Sequence, residues 1–314
     1  MAMWHGGKAK LVTFGFSFSR RLRGLTPKRS SFGSPFVMSC QVLRSFAVPL
    51  LIGLCLPCAW ADLFPDKNLE AAVRRHVPAK KNGKEPLTAA DVSRVSEVKV
   101  EGKAIKNLKG LEACRELASL ELPNNEIEDL SPLAGLERLQ LLDLSGNRVR
   151  DLGPVSTLKG LQYLNLEHNQ LQNLGPLANL PNLRSLYLTD NRISNLAPLR
   201  KLTKLWSLYL GNNRLQDISS LKPLKGVVTL GLEGNRIEDI SPLGEMGQLS
   251  KLFLQNNRIE DLSPLLDAIK KDVAGPRRFG PFLQIWLKGN PVSPDDPQVK
   301  ELSKLARKVD FDYQ

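Results

Sequence analysis

Seven asparagines, Asn125, Asn147, Asn169, Asn191, Asn213, Asn235 and Asn257, fall 22 residues apart along this chain. A second series keeps the same step: Leu108, Leu130, Leu152, Leu174, Leu196, Ile218, Ile240 and Leu262. A fixed period of this length demands a solenoid, in which each unit is buried by its neighbours rather than by itself. The cleanest unit is Leu183 to Lys204, LRSLYLTDNRISNLAPLRKLTK, with apolar places at Leu183, Leu186, Leu188, Ile193, Leu196, Leu199 and Leu202. Leu186 and Leu188 alternate with Ser185, Tyr187 and Thr189, which is the period of a strand. The leucines turn inward and the other three face an open, concave surface. Asn191 follows at a tight bend, where its amide can satisfy backbone groups that the bend leaves unpaired. Pro198 and its counterparts Pro132, Pro154, Pro176, Pro242 and Pro264 sit on the return arm, where proline suits a short 3₁₀ or irregular turn and blocks a long helix.

A solenoid exposes an apolar edge at each end and needs caps. Residues 62–94 do not follow the repeat and read as a helical N-terminal cap. Leu69, Ala72 and Val73 recur at helical spacing behind Asp66, a good N-cap, and Thr88 to Asp91 resembles a capping box. The repeats run over 95–292. The first strand is degenerate, with Val98 and Val100 in the leucine places and Lys103 where the asparagine belongs. The last interval, Asn257 to Asn290, is eleven residues longer than the period, and Asp267–Val273 predicts a helix there, stopped by Gly275-Pro276. In residues 293–314, Val299, Leu302, Leu305 and Ala306 after Pro297 predict a helical C-terminal cap.

The net charge of +12 is concentrated at the start. Eight of the 44 basic residues and none of the 32 acidic ones lie in residues 1–61, which leaves an excess of only four elsewhere. That distribution argues against a nucleic-acid partner. Met38 opens a sequence with a basic Arg44, an apolar run from Phe46 to Leu56 and a cleavage-like Ala59-Trp60-Ala61, so 38–61 reads as a signal peptide and 1–37 as a mis-assigned or disordered extension. The apolar run is short and broken by Pro49 and Pro57, which disfavours a membrane span. After cleavage the protein is expected to be exported, periplasmic or secreted, with no integral membrane segment and with Cys114 as its single cysteine, in a repeat position otherwise held by leucine.

The in-phase units of I-x-[DN]-[LI]-x-P-L-x-x-L type, with the strand pattern L-x-x-L-x-L-x-x-N-x-I, resemble the 22-residue class of leucine-rich repeats. Bacterial internalins and a eukaryotic phosphatase-1 regulator share that class. An exported array with a helical N-terminal cap is more similar to the bacterial internalin-like group. The resemblance implies an α/β repeat fold: a right-handed solenoid with a parallel β-sheet on its concave face, 3₁₀ or irregular convex turns, and helical caps at both ends. It also implies protein recognition.

No H-E-x-x-H, no G-x-x-x-x-G-K and no Cys/His cluster with metal spacing occurs, so a non-enzymatic binder without cofactor or metal is expected. The central concave column reads Lys99, Glu121, Asp143, Asn165, Tyr187, Tyr209, Gly231, Phe253 and Trp286. With Tyr163 from the neighbouring column, Tyr187, Tyr209, Phe253 and Trp286 are the candidate partner-binding residues, because aromatics on a rigid sheet make natural anchors. The bland alternative is that they merely stack across strands. A basic loop, Lys270, Lys271, Arg277 and Arg278, interrupts the period and is a second candidate. The arginines at 148, 192, 214, 236 and 258, each followed three residues on by Asp or Asn, read as a solvated charge ladder rather than a phosphate-binding stripe. The partner is expected to be a protein. A structural envelope protein without a discrete ligand is the alternative, as is a phosphatase-regulator-like protein inside the cell if the leader is no signal.

Overall fold

The computed structural model describes residues 62–311. The expectations for the extension 1–37 and the signal peptide 38–61 fall outside the described residues.

Each repeat contributes one three-residue strand. In chain order these are β1 (Glu97–Lys99), β2 (Ser119–Glu121), β3 (Leu141–Asp143), β4 (Tyr163–Asn165), β5 (Ser185–Tyr187), β6 (Ser207–Tyr209), β7 (Thr229–Gly231), β8 (Lys251–Phe253) and β9 (Gln284–Trp286). All pair in parallel with their sequence neighbours. The register steps by one repeat, so Leu164, Leu186, Leu208 and Leu230 line up in one fully buried row. Return arms form 3₁₀ turns such as Gly175–Asn179 and Ala197–Lys201, with proline at the start where its missing N–H does no harm. The core is a single continuous stack of leucine, isoleucine and valine between sheet and turns.

The asparagines hold the repeats in step. Asn191 lies at the bend after β5 and is only 8% exposed. Its Nδ2 donates to Leu188 O (3.1 Å) and Thr189 O (3.2 Å) in its own repeat and to Leu166 O (2.9 Å) in the one before. Its Oδ1 accepts from Leu171 N of that same preceding repeat at 2.9 Å. The pattern recurs at Asn147, Asn169, Asn213, Asn235 and Asn257, where every Oδ1 takes a backbone N–H from the previous unit at 2.8–3.1 Å. The residue before each ladder asparagine has positive φ: Asn124, Gly146, His168, Asp190, Asn212, Gly234, Asn256 and, before Asn290, Gly289. Glycine, Asn, Asp and His are the residues that enter this region most readily.

The N-terminal cap contains α1 (Lys67–Arg74) and α2 (Ala89–Val92). Asp66 does two jobs. Its Oδ1 accepts from Asn68 N and Leu69 N, starting α1, and its Oδ2 accepts from Lys106 N (2.8 Å) and Asn107 N (3.2 Å), fastening the cap to the first repeat. Burial alone would raise its pKa; the four N–H groups outweigh burial and hold it below the usual carboxylate value. Thr88 and Asp91 form a complete capping box.

At the other end, the eleven extra residues build α3 (Ser263–Ala274), a full helix in place of a 3₁₀ turn, ended at Gly275. The C-terminal helix is α4 (Pro297–Leu305), capped by Asp296. The structure adds an element that the sequence pattern does not announce: β10 (Lys308–Asp310) pairs in parallel with β9 and extends the sheet to ten strands. Three residues with one apolar side chain carry no readable period; the open edge of β9 supplies the reason for the strand.

Replacing Asn191 by Ala is expected to destabilise the array by roughly 2–4 kcal/mol, since buried backbone donors and acceptors in two repeats lose their partner together. Asn191→Asp should be nearly as harmful, because a carboxylate cannot donate to three carbonyls. Denaturant unfolding of both variants checks this; a loss below about 1 kcal/mol contradicts the ladder's role.

Candidate functional site

The concave sheet presents three columns of side chains, one from each outward strand position and one from the residue two places beyond the strand's end. The central column changes character along its length. At β1 and β2 it is charged, with Lys99 Nζ 2.5 Å from Glu121. At β3 and β4 it is polar, with Asn165 Nδ2 donating to Asp143 Oδ2 at 3.3 Å. From β5 onward it is aromatic, except at β7, where Gly231 stands.

The five aromatic candidates occupy this surface in two groups. Tyr187 and Tyr209 stand directly opposite one another in register and stack with ring centroids 4.9 Å apart and planes 8° apart. Tyr163 leans against Tyr187 at 5.2 Å, tilted by 41°. Phe253 and Trp286 form the second stack, 4.4 Å between centroids, with Lys308 Nζ 5.7 Å from the Trp286 ring. The rings do stack across strands as sheet neighbours, yet all remain partly open to solvent. Burial raises the phenol pKa of Tyr163, Tyr187 and Tyr209, so all three stay neutral donors near pH 7. Trp206, one residue before β6, is 61% exposed and lies just outside the strand pattern that marks the concave columns.

The basic residues occupy a different part of the molecule. Lys270 and Lys271 lie on α3, in the return layer behind the sheet, and Lys270 Nζ pairs with Glu301 of α4 at 2.8 Å. Arg277 and Arg278 follow in a turn built around buried Asp272, whose carboxylate accepts from the backbone N–H groups of Arg278, Phe279 and Gly280. This turn explains the insertion structurally and does not join it to the aromatic column. Along the arginine stripe, the acids three residues on serve the backbone. Asp151, Asn195, Asp217, Asp239 and Asp261 each accept a backbone N–H two residues on and thereby start the return turns. Arg148 and Arg258 pair instead with Glu126 (2.9 Å) and Glu238 (3.6 Å).

The third column holds Glu167, Thr189, Gly211, Glu233, Gln255 and Lys288. Burial raises the pKa of both Glu167 and Glu233, and for Glu233 the nearby charges of Glu167 and Asp190 push the same way. His168 Nδ1 lies 3.0 Å from Asp190 beside them. Cys114 is fully buried and its thiol is pushed up to about 12 by that burial, which leaves it an inert core group. Among the described residues, no group of three or more His, Cys, Asp or Glu is placed to hold a metal ion, and no helix is long and apolar enough to cross a membrane.

A family model for Leucine Rich repeats (2 copies) matches residues 137–179 and 181–223. Internalin C2 of Listeria monocytogenes is similar over 65% of this chain and 89% of its own, with 35% identity and a TM-score of 0.62. An internalin (inlF) of the same organism is 27% identical over 79% of this chain and 76% of its own, with a TM-score of 0.68. A leucine-rich repeat protein of Leptospira interrogans shares the fold at 23% identity, over 66% of this chain and 57% of its own, with a TM-score of 0.56. No curated protein sequence matches.

Glu233 supplies a test of the electrostatics. A carboxyl whose native pKa is raised penalises the fold above that pKa and ceases to do so once protonated. Glu233→Gln is therefore expected to raise Tm at pH 7, with the gain shrinking as pH falls through the raised native value and vanishing below the ordinary carboxylate pKa. Thermal unfolding across that range checks it; a variant less stable than wild type at pH 7 contradicts the assignment.

Proposed function

This chain belongs to the bacterial internalin-like leucine-rich repeat proteins, and we propose that it is an exported, non-enzymatic scaffold that binds a protein partner through its concave face. The observation that carries the reading is the pair of aromatic stacks, Tyr163–Tyr187–Tyr209 and Phe253–Trp286, set on a rigid ten-stranded sheet. Rings fixed by their neighbours lose little conformational freedom when a partner covers them, and aromatic side chains are the commonest anchors of protein interfaces. Nothing in the core asks for them: the buried row beneath is leucine and isoleucine throughout β2–β9, so the tyrosines are not required to build the sheet. Export rests on the cleavage-like segment before Asp62 and on the similarity to internalins.

Two measurements bear on this reading. Affinity capture with the exported protein, wild type against Tyr187→Ala/Tyr209→Ala, should retain a protein partner only in the wild type, with affinity reduced about 30-fold or more, the loss of a ~2 kcal/mol hot spot. Equal capture by a folded double variant removes the concave reading. N-terminal sequencing of the mature chain should begin at Asp62; a mature chain that begins at residue 1 or 38 rules out export with cleavage.

A further inference from the structure

Gly231 interrupts the aromatic column between Tyr209 and Phe253. Two strand spacings, about 9.6 Å, separate the backbone positions that carry these rings. The space over Gly231 is not empty, because the Tyr209 ring edge leans into it. The Glu233 side chain folds back over the space that two glycines leave open. A Cβ on Gly211 would stand 2.1 Å from Glu233 Oε1, and one on Gly231 would stand 3.1 Å from Oε2 and 2.9 Å from Tyr209 Cδ1. The carboxylate and the Tyr209 ring edge thus meet over Gly231 on the concave surface.

Two acceptor atoms of neighbouring residues in the third column are left without donors. Among the buried side-chain oxygens and nitrogens of the described residues, Glu233 Oε2 and Gln255 Oε1 have no hydrogen-bond partner. Gln255 is only 6% exposed, and it lines, with Glu233, Asn212, Asn256 and Lys288, a cavity of about 370 Å³. Neither orphaned oxygen takes a hydrogen bond from Lys288. Leaving a buried acceptor unpaired is unfavourable, and a donor that arrives from outside removes the penalty. Glu167 and Asp190 add negative charge on the tyrosine side.

We infer that this cavity is the seat of an arginine side chain of the protein partner, its guanidinium donating to Glu233 and Gln255 beside the Tyr209 ring. The inference rests on the concave-face reading above and deepens it by naming the chemistry of the anchor. Arginine fits better than lysine because the guanidinium is planar, stacks on aromatic faces and offers several donors in a fixed fork. An ammonium would satisfy the charge without spanning both oxygens.

The test titrates the full chain with N-acetyl-arginine amide, and with the matching lysine and citrulline compounds, while the Gln255 side-chain amide is followed by NMR. A saturable shift is expected with the arginine compound, at least tenfold weaker with citrulline, which has the shape without the charge, and weaker with lysine. Glu233→Gln should weaken the arginine response at least tenfold while leaving the fold no less stable. An absent response, an equal response to citrulline or lysine, or one unchanged in Glu233→Gln overturns the seat. Loss of partner capture in Tyr187→Ala, which does not line the cavity, combined with no arginine response, refutes the seat and leaves the concave reading standing.

Discussion

The structure depends on a hydrogen-bonding problem solved the same way at every turn. A strand of three residues cannot run on, so the chain bends after each one and its backbone polar groups turn inward where no water reaches them. One asparagine per repeat closes the account, because only a carboxamide can donate to three carbonyls and accept from an N–H in the adjoining unit. Its partners lie 3, 2 and 25 residues back on the donor side and 20 residues back on the acceptor side. The side chain is therefore a staple between repeats as well as a brace within one. The leucine places accept other apolar side chains inside the core, such as Val98, Val155 and Met246, whereas a substitute for the amide between two repeats would strand several backbone groups; the asparagine series is broken at its start, by Lys103 in the degenerate first repeat.

That strictness decides what could be read before any coordinates. Strand positions, inward faces, 3₁₀ return turns, the Asp66 cap and a helix over 267–273 all follow from period and end chemistry, although the structure starts that helix one turn earlier, at Ser263. The readable positions are those where one residue type alone satisfies the backbone or the core. Legibility stops where a three-residue segment takes its conformation from a neighbour, as β10 does from the edge of β9. It also stops where a residue has two plausible partners. The aspartates after the arginine positions could have paired with those arginines; the return turn's free N–H groups, two residues away, are nearer and claim them.

The concave surface obeys a different logic. Its outward side chains have no structural duty, so their identities drift from charged at β1–β2 to aromatic at β5, β6, β8 and β9 without disturbing the sheet. Sequence alone places these residues in columns because the register is fixed by the repeat. It cannot say how the rings stack, that Trp206 stands exposed, or that Glu233 folds back over Gly211 and Gly231. Those facts depend on side-chain torsions and on neighbours one repeat away, and no period encodes them.

A solenoid is a good frame for such a surface because each repeat contacts only its neighbours, so an unfavourable arrangement in one unit stays local. In a single-core globule an unpaired buried carboxylate oxygen would tax the whole cooperative unit. Here Glu233 and Gln255 sit between β7 and β9, flanked by repeats whose ladder asparagines, Asn213, Asn235 and Asn257, are fully bonded. The ladder keeps the backbone in place beneath the orphaned oxygens, which holds them at fixed positions on the concave face. Rigid placement of unsatisfied acceptors is what lets a surface discriminate, since a partner without the matching donors leaves them buried and unpaired while one with them restores the missing bonds.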